Sequence, residues 1–283
     1  MDIVVNFKTL DDLYFIAEIG INHNGDIDIT KKLIDASFAT SWDCVKFQKR
    51  NPDVCVPDHQ KDVIRDTPWG RMTYLEYKHK VEFGKEEYDY INDYCKEKPI
   101  DWTVSVWDID SVNFISNYDV PFIKIPSAML TNDELIEATV ETKKQIVLST
   151  GMSTIEEIDH AVDVLGKSDF TLLHCNSTYP APEEDLNLNN IKMMQDKYNV
   201  PIGYSGHEQD LEACMVAVTL GANVIERHIT LDHNMWGTDQ KSSLEVIAMD
   251  MLKKRCNNIQ TMLGKYERTV SSSEKEIRNK LRG

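Results

Sequence analysis

Residues 203–230 read GYSGHEQDLEACMVAVTLGANVIERHIT, and this stretch decides the fold. Two short apolar runs, 200–204 and 224–229, predict buried strands. Between them, residues 210–220 are apolar at helical spacing, and Gly221 is placed as a helix stop. The stretch therefore predicts a strand–helix–strand unit, the building block of a parallel sheet.

One histidine stands near the end of each of these two strands. His207 follows the first strand and His228 closes the second. Both imidazoles can therefore reach the same rim of a parallel sheet. A single histidine is usually structural, but two of them one βα unit apart, beside Glu226 and Asp239, favour a divalent-metal site.

The same alternation of strand and helix runs through the rest of the chain. Eight strand predictions, each followed by a helix or helical turn, predict an α/β fold of the (β/α)8 TIM-barrel type over residues 1–265. Residues 266–283 are predicted to be a polar C-terminal tail without a second domain. A doubly wound open sheet is the alternative, weakened because no G-x-G-x-x-G follows the first strand. Besides the two strands above, the predicted strands are 13–21, 44–48, 102–107, 122–126, 145–150 and 170–175.

A polar insertion, residues 49–83, interrupts the alternation after the second strand. It contains several prolines and is too long for an ordinary βα connection, so we expect a binding loop or a lid. Its aromatic and basic segment, 69–77, is predicted to cover either a site or an interface.

Bulk composition excludes several classes of partner. The formal net charge of the 283 residues is −16, which argues against binding nucleic acid or an anionic membrane. No signal peptide opens the chain, and no apolar run is long enough to span a bilayer. The six cysteines show no C-x-x-C pairing, and Cys44, Cys175 and Cys214 lie in apolar runs. We therefore expect reduced core cysteines in a cytoplasmic protein.

Polar side chains gather at the predicted carboxyl ends of the strands, where barrel enzymes place their active sites. Lys46 and Lys124 interrupt apolar strands, a poor choice for packing and a good one for holding an anion. Serines and the backbone amides near Gly151 would complete a phosphate or carboxylate site. Each lysine or serine alone could equally be structural, and it is their convergence that favours a site. Glu18 ends a buried strand, where an unpaired carboxylate is costly, so it is predicted to be functional. His174, inside a strand, is predicted to be a hydrogen-bonded core residue.

Several motifs together carry a family resemblance. From about residue 15 to the end, the chain resembles the N-acetylneuraminate (sialic acid) synthase family, with the motifs in matching order and spacing. They are FIAEIGINHNGD, VKFQ, FIKIPSAMLTN, VLSTGMST, LLHCNSTYPAPEEDLNL, IGYSGH, GANVIERHIT and WGTDQKSSLE.

The resemblance implies a transferase that condenses phosphoenolpyruvate with an N-acetylated amino sugar, usually N-acetylmannosamine. The products would be a nine-carbon 2-keto acid and phosphate. By position, His207 and His228 match the two protein ligands of Mn²⁺ or Mg²⁺, with water and the sugar aldehyde completing the coordination. Glu18 matches the group that handles water and protons, and Tyr179 and Asp239 match sugar contacts. The positions matching a phosphoenolpyruvate site are Lys46, Gln48, Ser105, Lys124, Ser127, Ser149, Ser177 and Ser205. Glu18, Lys46 and Asp239 are the predicted catalytic residues, and a homodimer is the assembly that the resemblance suggests.

The sequence departs from the family pattern in three places. Relatives usually carry a C-terminal antifreeze-like domain whose arginine reaches the sugar in the partner subunit. The given sequence ends at Gly283, where that domain would begin, so we expect sugar binding to be completed differently or to be weaker. Ala128-Met129 replaces a common acidic position, and Thr238 and Gln240 flank Asp239 where G-P-D-H is usual. These two departures concern the sugar, so legionaminic- or pseudaminic-type acids stay open as products.

Two further alternatives come from other functional classes. An aldolase or lyase on the same barrel would form an imine at Lys46 or Lys124. A non-catalytic barrel would only bind an anion or a partner, and it would not need a metal-activated aldehyde site.

Overall fold

The computed structural model describes Phe7 and residues 13–282, and these residues form a closed parallel barrel. We number the barrel strands β1 to β8 along the chain. Each strand pairs in parallel with its sequence neighbours, and β1 closes the ring by pairing with both β2 and β8. The predicted TIM barrel is confirmed, and the open-sheet alternative is wrong. The strands are β1 Tyr14–Gly20, β2 Cys44–Lys49, β3 Asp101–Val106, β4 Phe122–Ile125, β5 Gln145–Ser149, β6 Phe170–Cys175, β7 Ile202–Gly206 and β8 Val224–His228.

A helix follows each barrel strand and packs outside it. Local sequence explains where several of them begin. At α5, for example, Thr154 accepts a hydrogen bond from the Glu157 N–H while the Glu157 carboxylate accepts one from the Thr154 N–H, which forms a capping box. We number them α1 Ile27–Ala39, α2 Lys85–Glu97, α3 Ile109–Ile115, α4 Asp133–Glu141, α5 Ile155–Leu165, α6 Asn189–Lys197, α7 Glu212–Thr219 and α8 Val246–Leu263.

The ends of β6 match the prediction, and the ends of the other strands differ from it by at most one or two residues. The largest shift is in β7, which was predicted as 200–204 and spans Ile202–Gly206. Pro201 explains the late start, because proline has no N–H to give to the ladder. Its carbonyl still accepts a hydrogen bond from Leu172 N at 3.1 Å.

Two layers fill the barrel interior. The lower layer is apolar and lies beneath the cavity. It is a buried cluster of Phe7, Tyr14, Ile16, Cys44, Phe122, Val147, Leu173 and Val224. Two residues further along several strands, the inward positions become charged or hydroxylic, because side chains alternate between the two faces of a strand. On β1, for instance, Ile16 is followed inward by Glu18; on β8, Val224 is followed by Glu226 and then His228. The fold thus places a polar cavity directly above an apolar layer of the barrel interior.

The insertion after β2 is folded, so its description as a loop is wrong. It contains two short helices, Pro52–Cys55 and Asp58–Lys61, an antiparallel hairpin, Ile64–Thr67 with Gly70–Thr73, and a longer helix, Tyr74–Val81. Its two ends are tied together, since Lys49 Nζ lies 2.6 Å from Glu82 Oε1.

The far side of the insertion packs on the segment that follows β8. The ring of Trp236 makes edge contacts with Tyr77 and Trp69, at centroid separations of 5.1 and 5.6 Å. The insertion therefore lies beside the mouth of the barrel.

After α8, residues 272–282 form a helix, Ser272–Arg282, whose side chains are exposed. The boundary of the barrel domain at residue 265 stays a prediction. Within the described residues, no helix is both long and apolar enough to cross a membrane.

Candidate active site

A cavity of about 170 Å³ opens at the carboxyl ends of the strands. It gathers nearly every residue that the sequence singled out: Glu18, Lys46, Gln48, Ser105, Lys124, Ser127, Ser149, Ser177, Tyr179, Ser205, His207 and His228. Asp239 lies at the edge of the cavity, with Oδ2 4.0 Å from His228 Nδ1. Glu18 and His228, which are 210 positions apart in the chain, thus meet in one place, as the barrel topology requires.

Lys46 lies on the cavity floor and is 2% exposed. Its ammonium group lies 2.6 Å from Glu18 Oε2 and donates to Ser105 Oγ at 2.8 Å. Glu18 is also within 3.3 Å of the Gln48 side-chain amide. Three neighbouring strands therefore hold this group of side chains in place.

Lys124 lies across the floor from Lys46, and Glu226 lies between them. Glu226 Oε1 is 3.5 Å from Lys124 Nζ, and Oε2 is 3.6 Å from Lys46 Nζ. Ser205 Oγ donates to the same carboxylate at 3.0 Å. The floor thus carries two cations and two carboxylates, all buried.

Burial and charge set different pKa values for the two carboxylates. Burial raises the pKa of Glu18, although Lys46 partly opposes the shift. Burial would also raise the pKa of Glu226, but Lys124 and Lys46 outweigh it and lower the pKa to about 2. Glu226 therefore stays ionised at neutral pH, and Glu18 is the carboxyl group that can take up a proton.

The two lysines also differ. Burial would lower the pKa of Lys46, but Glu18 and Glu226 raise it. For Lys124, burial lowers the pKa and the attraction of Glu226 does not restore it. Lys46 is consequently a firmly held cation, and Lys124 is the more easily deprotonated amine.

The imidazoles of His207 and His228 face each other with ring centroids 5.5 Å apart. His207 Nδ1 lies 2.6 Å from the Asn176 carbonyl oxygen, so this nitrogen carries the proton and donates it. The other nitrogen, Nε2, is left as an acceptor, and it accepts a hydrogen bond from the Tyr179 hydroxyl at 2.9 Å. Burial lowers the pKa of His228 to about 3, so that its ring is neutral.

These two rings fit a metal site with few protein ligands. A carbonyl that fixes one imidazole nitrogen and leaves the other with a lone pair is the usual support for a metal-binding histidine. His228 Nδ1 is buried without a hydrogen-bond partner in the described chain. No group of three His, Cys, Asp or Glu side chains among the described residues is placed to hold a metal. Any ion held by the two histidines would need water or substrate for its remaining ligands.

The hydroxyl groups of Ser127, Ser149 and Ser177 form another wall of the cavity. The Gly151 N–H donates to Ser127 Oγ at 3.0 Å. A Cβ atom at position 151 would collide with the hydroxyls of Ser177 and Ser127, so only glycine lets the backbone come this close. Ser149 Oγ is buried without a partner in the described residues. This wall therefore offers several donors to an anion.

Three cavity residues were missed as site residues in the sequence. Glu226 was noted beside the histidines but given no role, although it lies two residues before His228 on the same face of β8. Cys175 was interpreted as a core residue; it is buried and reduced, but its thiol lies 3.7 Å from His207 Nδ1 and lines the cavity. Trp107 also lines it. The two-residue period of the strands is the signal that could have found all three.

Two residues next to the site have structural roles, and the first of them, His174, was predicted. His174 is the hydrogen-bonded core residue that was predicted: its Nε2 lies 2.7 Å from the Leu186 carbonyl oxygen. Arg227 points out of the barrel and is fully buried against Glu208, with Nη1 2.8 Å from Oε1. Arg227 also donates to the Glu208 and Asp210 carbonyl oxygens. It therefore fixes the segment that follows His207.

Comparison with known proteins agrees with the geometry. The model of the NeuB family matches residues 33–268. The chain is 36% identical to an N-acetylneuraminate-9-phosphate synthase of Drosophila melanogaster, over 99% of this chain and 75% of that protein. It is 34% identical to an N,N'-diacetyllegionaminic acid synthase of Campylobacter jejuni, over 94% and 82% of the two chains.

A solved structure agrees as well. The N-acetylneuraminic acid (sialic acid) synthetase of Leptospira borgpetersenii superposes with a TM-score of 0.86 at 31% identity, covering 96% of this chain and 93% of that one. The family match spans most of the barrel, and the resemblance seen in the motifs is confirmed. The chain belongs to the NeuB family.

Proposed function

We propose that this chain is a sialic-acid-type synthase that condenses phosphoenolpyruvate with an N-acetylated amino sugar, in the first place N-acetylmannosamine. One observation carries the proposal: two buried lysines and several serine hydroxyls line the cavity beside the facing rings of His207 and His228. The floor suits a small polyanion, and the histidines suit a metal and a carbonyl group. Family membership supports the same reaction type.

In the proposed complex, Lys46 and Lys124 balance the phosphate and carboxylate charges of phosphoenolpyruvate. Because Glu18 and Glu226 already offset these lysines, the arriving anion favours protonation of one carboxyl group. Glu18 is that group, since its pKa is raised while that of Glu226 is lowered. The hydroxyl groups of Ser127, Ser149 and Ser177 add neutral hydrogen-bond donors. Such donors stabilise an anion strongly in a site from which water is excluded.

His207 and His228 would hold a divalent ion, Mn²⁺ or Mg²⁺. When bound, such an ion supplies Lewis-acid polarisation of an aldehyde oxygen. The Asn176 carbonyl and the Tyr179 hydroxyl fix the ring of His207, and Asp239 stands beside His228 to orient the sugar.

The bond changes then follow from the positions of these groups. C3 of phosphoenolpyruvate attacks the aldehyde carbon with its enol electron pair, and the aldehyde oxygen takes up the proton that Glu18 carries in the complex. Positive charge develops at C2, where a water adds and gives a proton back to Glu18, which is by then a carboxylate. The tetrahedral C2 then loses inorganic phosphate by C–O cleavage, which leaves the 2-keto acid. Lys46 and Lys124 stabilise the leaving phosphate throughout.

The relatives' names leave the sugar open. They include a synthase of a 9-phosphorylated acid and synthases of legionaminic and pseudaminic acids. We keep the legionaminic- and pseudaminic-type substrates as the second choice. A cytoplasmic location and a homodimer stay predictions.

The direct test is a panel of N-acetyl amino sugars incubated with phosphoenolpyruvate and Mn²⁺ or Mg²⁺. Phosphate release is followed, and the product is identified by mass spectrometry. We expect sugar-dependent phosphate release and a nine-carbon keto acid from at least one sugar. Sugar-independent release, or none with any sugar, would refute the proposal.

Borohydride trapping separates this proposal from an imine-forming aldolase. Lys124 is the lysine to monitor, because its pKa is lowered. With pyruvate and borohydride, the synthase proposal predicts no covalent adduct on the chain. A stoichiometric adduct at Lys124 would favour the aldolase instead.

A further inference from the structure

A buried ion pair lies behind the wall of the cavity, on the outer side of the barrel strands. Arg227 Nη1 is 2.8 Å from Glu208 Oε1, and the two side chains are 0% and 4% exposed. Glu208 directly follows His207 in the chain, and Arg227 directly precedes His228. The pair therefore joins the immediate neighbours of the two histidines, and the mechanism proposed above uses neither of its members.

The parallel pairing between β7 and β8 ends one residue before each histidine. The last pair in the register of that ladder is Gly206 with Arg227. His228 is still held on its other side, where it pairs with Glu18 of β1. His207 lies beyond the end of its own strand. The position of its backbone relative to β8 consequently depends on contacts made after the ladder stops.

Arg227 makes such contacts. Besides binding the Glu208 carboxylate, its guanidinium donates to the Glu208 carbonyl oxygen and, at 2.9 Å, to the Asp210 carbonyl oxygen. The guanidinium is a planar fork whose N–H directions are fixed. Because it binds three oxygens of one short segment, it sets both the distance and the orientation of that segment relative to β8.

Glu208 is also held from β7. The Tyr204 hydroxyl donates to Glu208 Oε2 at 2.8 Å, so each oxygen of the carboxylate has its own partner. The carboxylate lies close over Gly206, where a Cβ atom would be 2.7 Å from both carboxylate oxygens and 2.8 Å from the Tyr204 ring. Glycine at position 206 thus lets the carboxylate fold back onto the end of β7.

Stability alone is a poor reason for this arrangement. Taking two charges out of water costs free energy that their attraction only partly returns, so a buried ion pair adds little over well-packed apolar side chains of the same volume. What the pair provides is a defined geometry, since the hydrogen-bond directions of the guanidinium admit few arrangements. Its place beside both histidines gives that geometry a use.

The proposed metal site needs a fixed spacing because it rests on two protein ligands. The ring centroids of His207 and His228 are 5.5 Å apart. The Asn176 carbonyl fixes the rotation of the His207 ring, but it does not fix the distance from that ring to His228. No third protein ligand among the described residues compensates for a displacement. A small shift of the His207 backbone would therefore open the site.

We propose that Glu208 and Arg227 are positioning residues that set the spacing between His207 and His228. The inference rests on the proposed function, since it takes the two histidines as the metal ligands. The pair acts through the backbone on which the two rings are mounted, and not by contact with an ion or a substrate.

A double variant separates metal affinity from stability. Glu208→Gln/Arg227→Met removes both charges and keeps side chains of similar length, so its midpoint of urea unfolding should lie close to that of the wild-type chain. Its dissociation constant for Mn²⁺, measured by electron paramagnetic resonance on the full chain without substrates, should rise by about 10–100-fold, as is usual when a residue that orients a metal ligand is changed. At saturating Mn²⁺ the KM for phosphoenolpyruvate should stay at the wild-type value, because the lysines of the cavity are untouched.

Arg227→Lys tests the geometry of the fork. Lysine keeps the positive charge but cannot bind three oxygens of the segment in fixed directions. We expect this variant to fold and to bind Mn²⁺ more weakly than the wild-type chain. Wild-type affinity in Arg227→Lys would mean that charge alone suffices, and the positioning role would be wrong. If the double variant does not fold, Arg227→Lys decides the matter.

Asp43→Asn/Lys253→Met is the matched control. Lys253 Nζ lies 2.6 Å from Asp43 Oδ2, and Asp43 directly precedes β2, at the end of the barrel opposite the cavity. This control also removes both members of an ion pair from the barrel. Its dissociation constant for Mn²⁺ should equal that of the wild-type chain.

The remaining outcomes distinguish the positioning role from the proposed function. If Glu208→Gln/Arg227→Met is folded and binds Mn²⁺ as tightly as the wild-type chain, the positioning role is wrong and the proposed function stands. An equal loss of affinity in the control would also overturn the positioning role, since any lost ion pair would then suffice. If the variants behave as expected but the wild-type chain releases no phosphate with any sugar, the reaction is wrong and the positioning role stands. If the wild-type chain binds no Mn²⁺, both fall.

Discussion

Glu226 Oε1 lies 3.5 Å from Lys124 Nζ on the floor of the barrel cavity, and both groups are buried. Removing one member of a buried ion pair leaves the other charge without compensation, at a cost of about 3–5 kcal/mol. We therefore expect Glu226→Gln to lower the free energy of unfolding by about 3 kcal/mol. The double variant Glu226→Gln/Lys124→Met should recover part of the loss. Urea denaturation of both single variants and the double variant measures the coupling, and strictly additive losses would contradict it.

The histidine pair gives the second prediction. His207→Ala and His228→Ala should each lower turnover by about 1000-fold or more, because two ligands are the whole protein contribution to the proposed metal site. The circular dichroism of both variants should match the wild-type chain.

His160→Ala is the control for this pair. His160 lies on the outside of α5, exposed and 2.9 Å from Asp133 Oδ2, so its loss should leave activity near the wild-type level. Manganese binding, followed by electron paramagnetic resonance, should weaken in the His207 and His228 variants alone. Full activity of His207→Ala in chelator-treated buffer would rule out the metal role.

Gly151 gives the third prediction. In Gly151→Ala the new Cβ collides with the Ser177 and Ser127 hydroxyls, so these two side chains must move away from their positions in the cavity wall. We expect kcat/KM for phosphoenolpyruvate to fall by about 100-fold, comparable to the loss of a preorganised donor. Gly84→Ala is the control, because Gly84 is remote from the cavity and the nearest atom to its Cβ is the end of the Glu87 side chain, at 3.3 Å. Equal kinetics for the two variants would show that the wall does not bind the anion.

His23 predicts how stability depends on pH. Burial lowers its pKa to about 3, and its ring stacks on Phe83 at 4.1 Å while Nδ1 accepts the Gly25 N–H. The unfolded chain, with a histidine pKa near 6.5, binds a proton that the folded chain does not. The contribution of neutral His23 to the free energy of unfolding is therefore fully present above pH 6.5. It is lost as the pH falls from 6.5 toward 3, by about 1.4 kcal/mol per pH unit.

The variant His23→Gln removes this titration. Between pH 7 and pH 5, the wild-type chain should lose about 2 kcal/mol more than the variant in free energy of unfolding. Denaturant titrations at several pH values give the difference. Parallel curves for the two proteins would mean that His23 is not neutral in the folded state.

Local sequence pattern predicted most of the barrel and much of the cavity. Each strand is a short apolar run. Charged or hydroxyl-bearing residues near the carboxyl ends of these runs indicate at which end of the barrel the cavity opens. The same alternation would have added Glu226 and Cys175, because they share an inward face with His228 and Ser177. Cys175 was missed because a cysteine within an apolar run is usually core.

Pairings between distant side chains were beyond the reach of the sequence. Nothing near Glu18 or Lys46 indicates that one neutralises the other, since the contact depends on the register of β1 against β2. The insertion was misjudged for a similar reason. Its helices and hairpin are short and polar, with little periodicity of their own, and contacts such as Tyr77 on Trp236 arise only once the barrel exists.

The insertion leaves the barrel and returns to it at nearly the same point, where Lys49 and Glu82 meet. Replacing everything between those two residues would leave the backbone ladder of the barrel untouched. The insertion can accordingly vary in length and sequence while the backbone pairing of the barrel, and the polar cavity that this pairing builds, stay as they are.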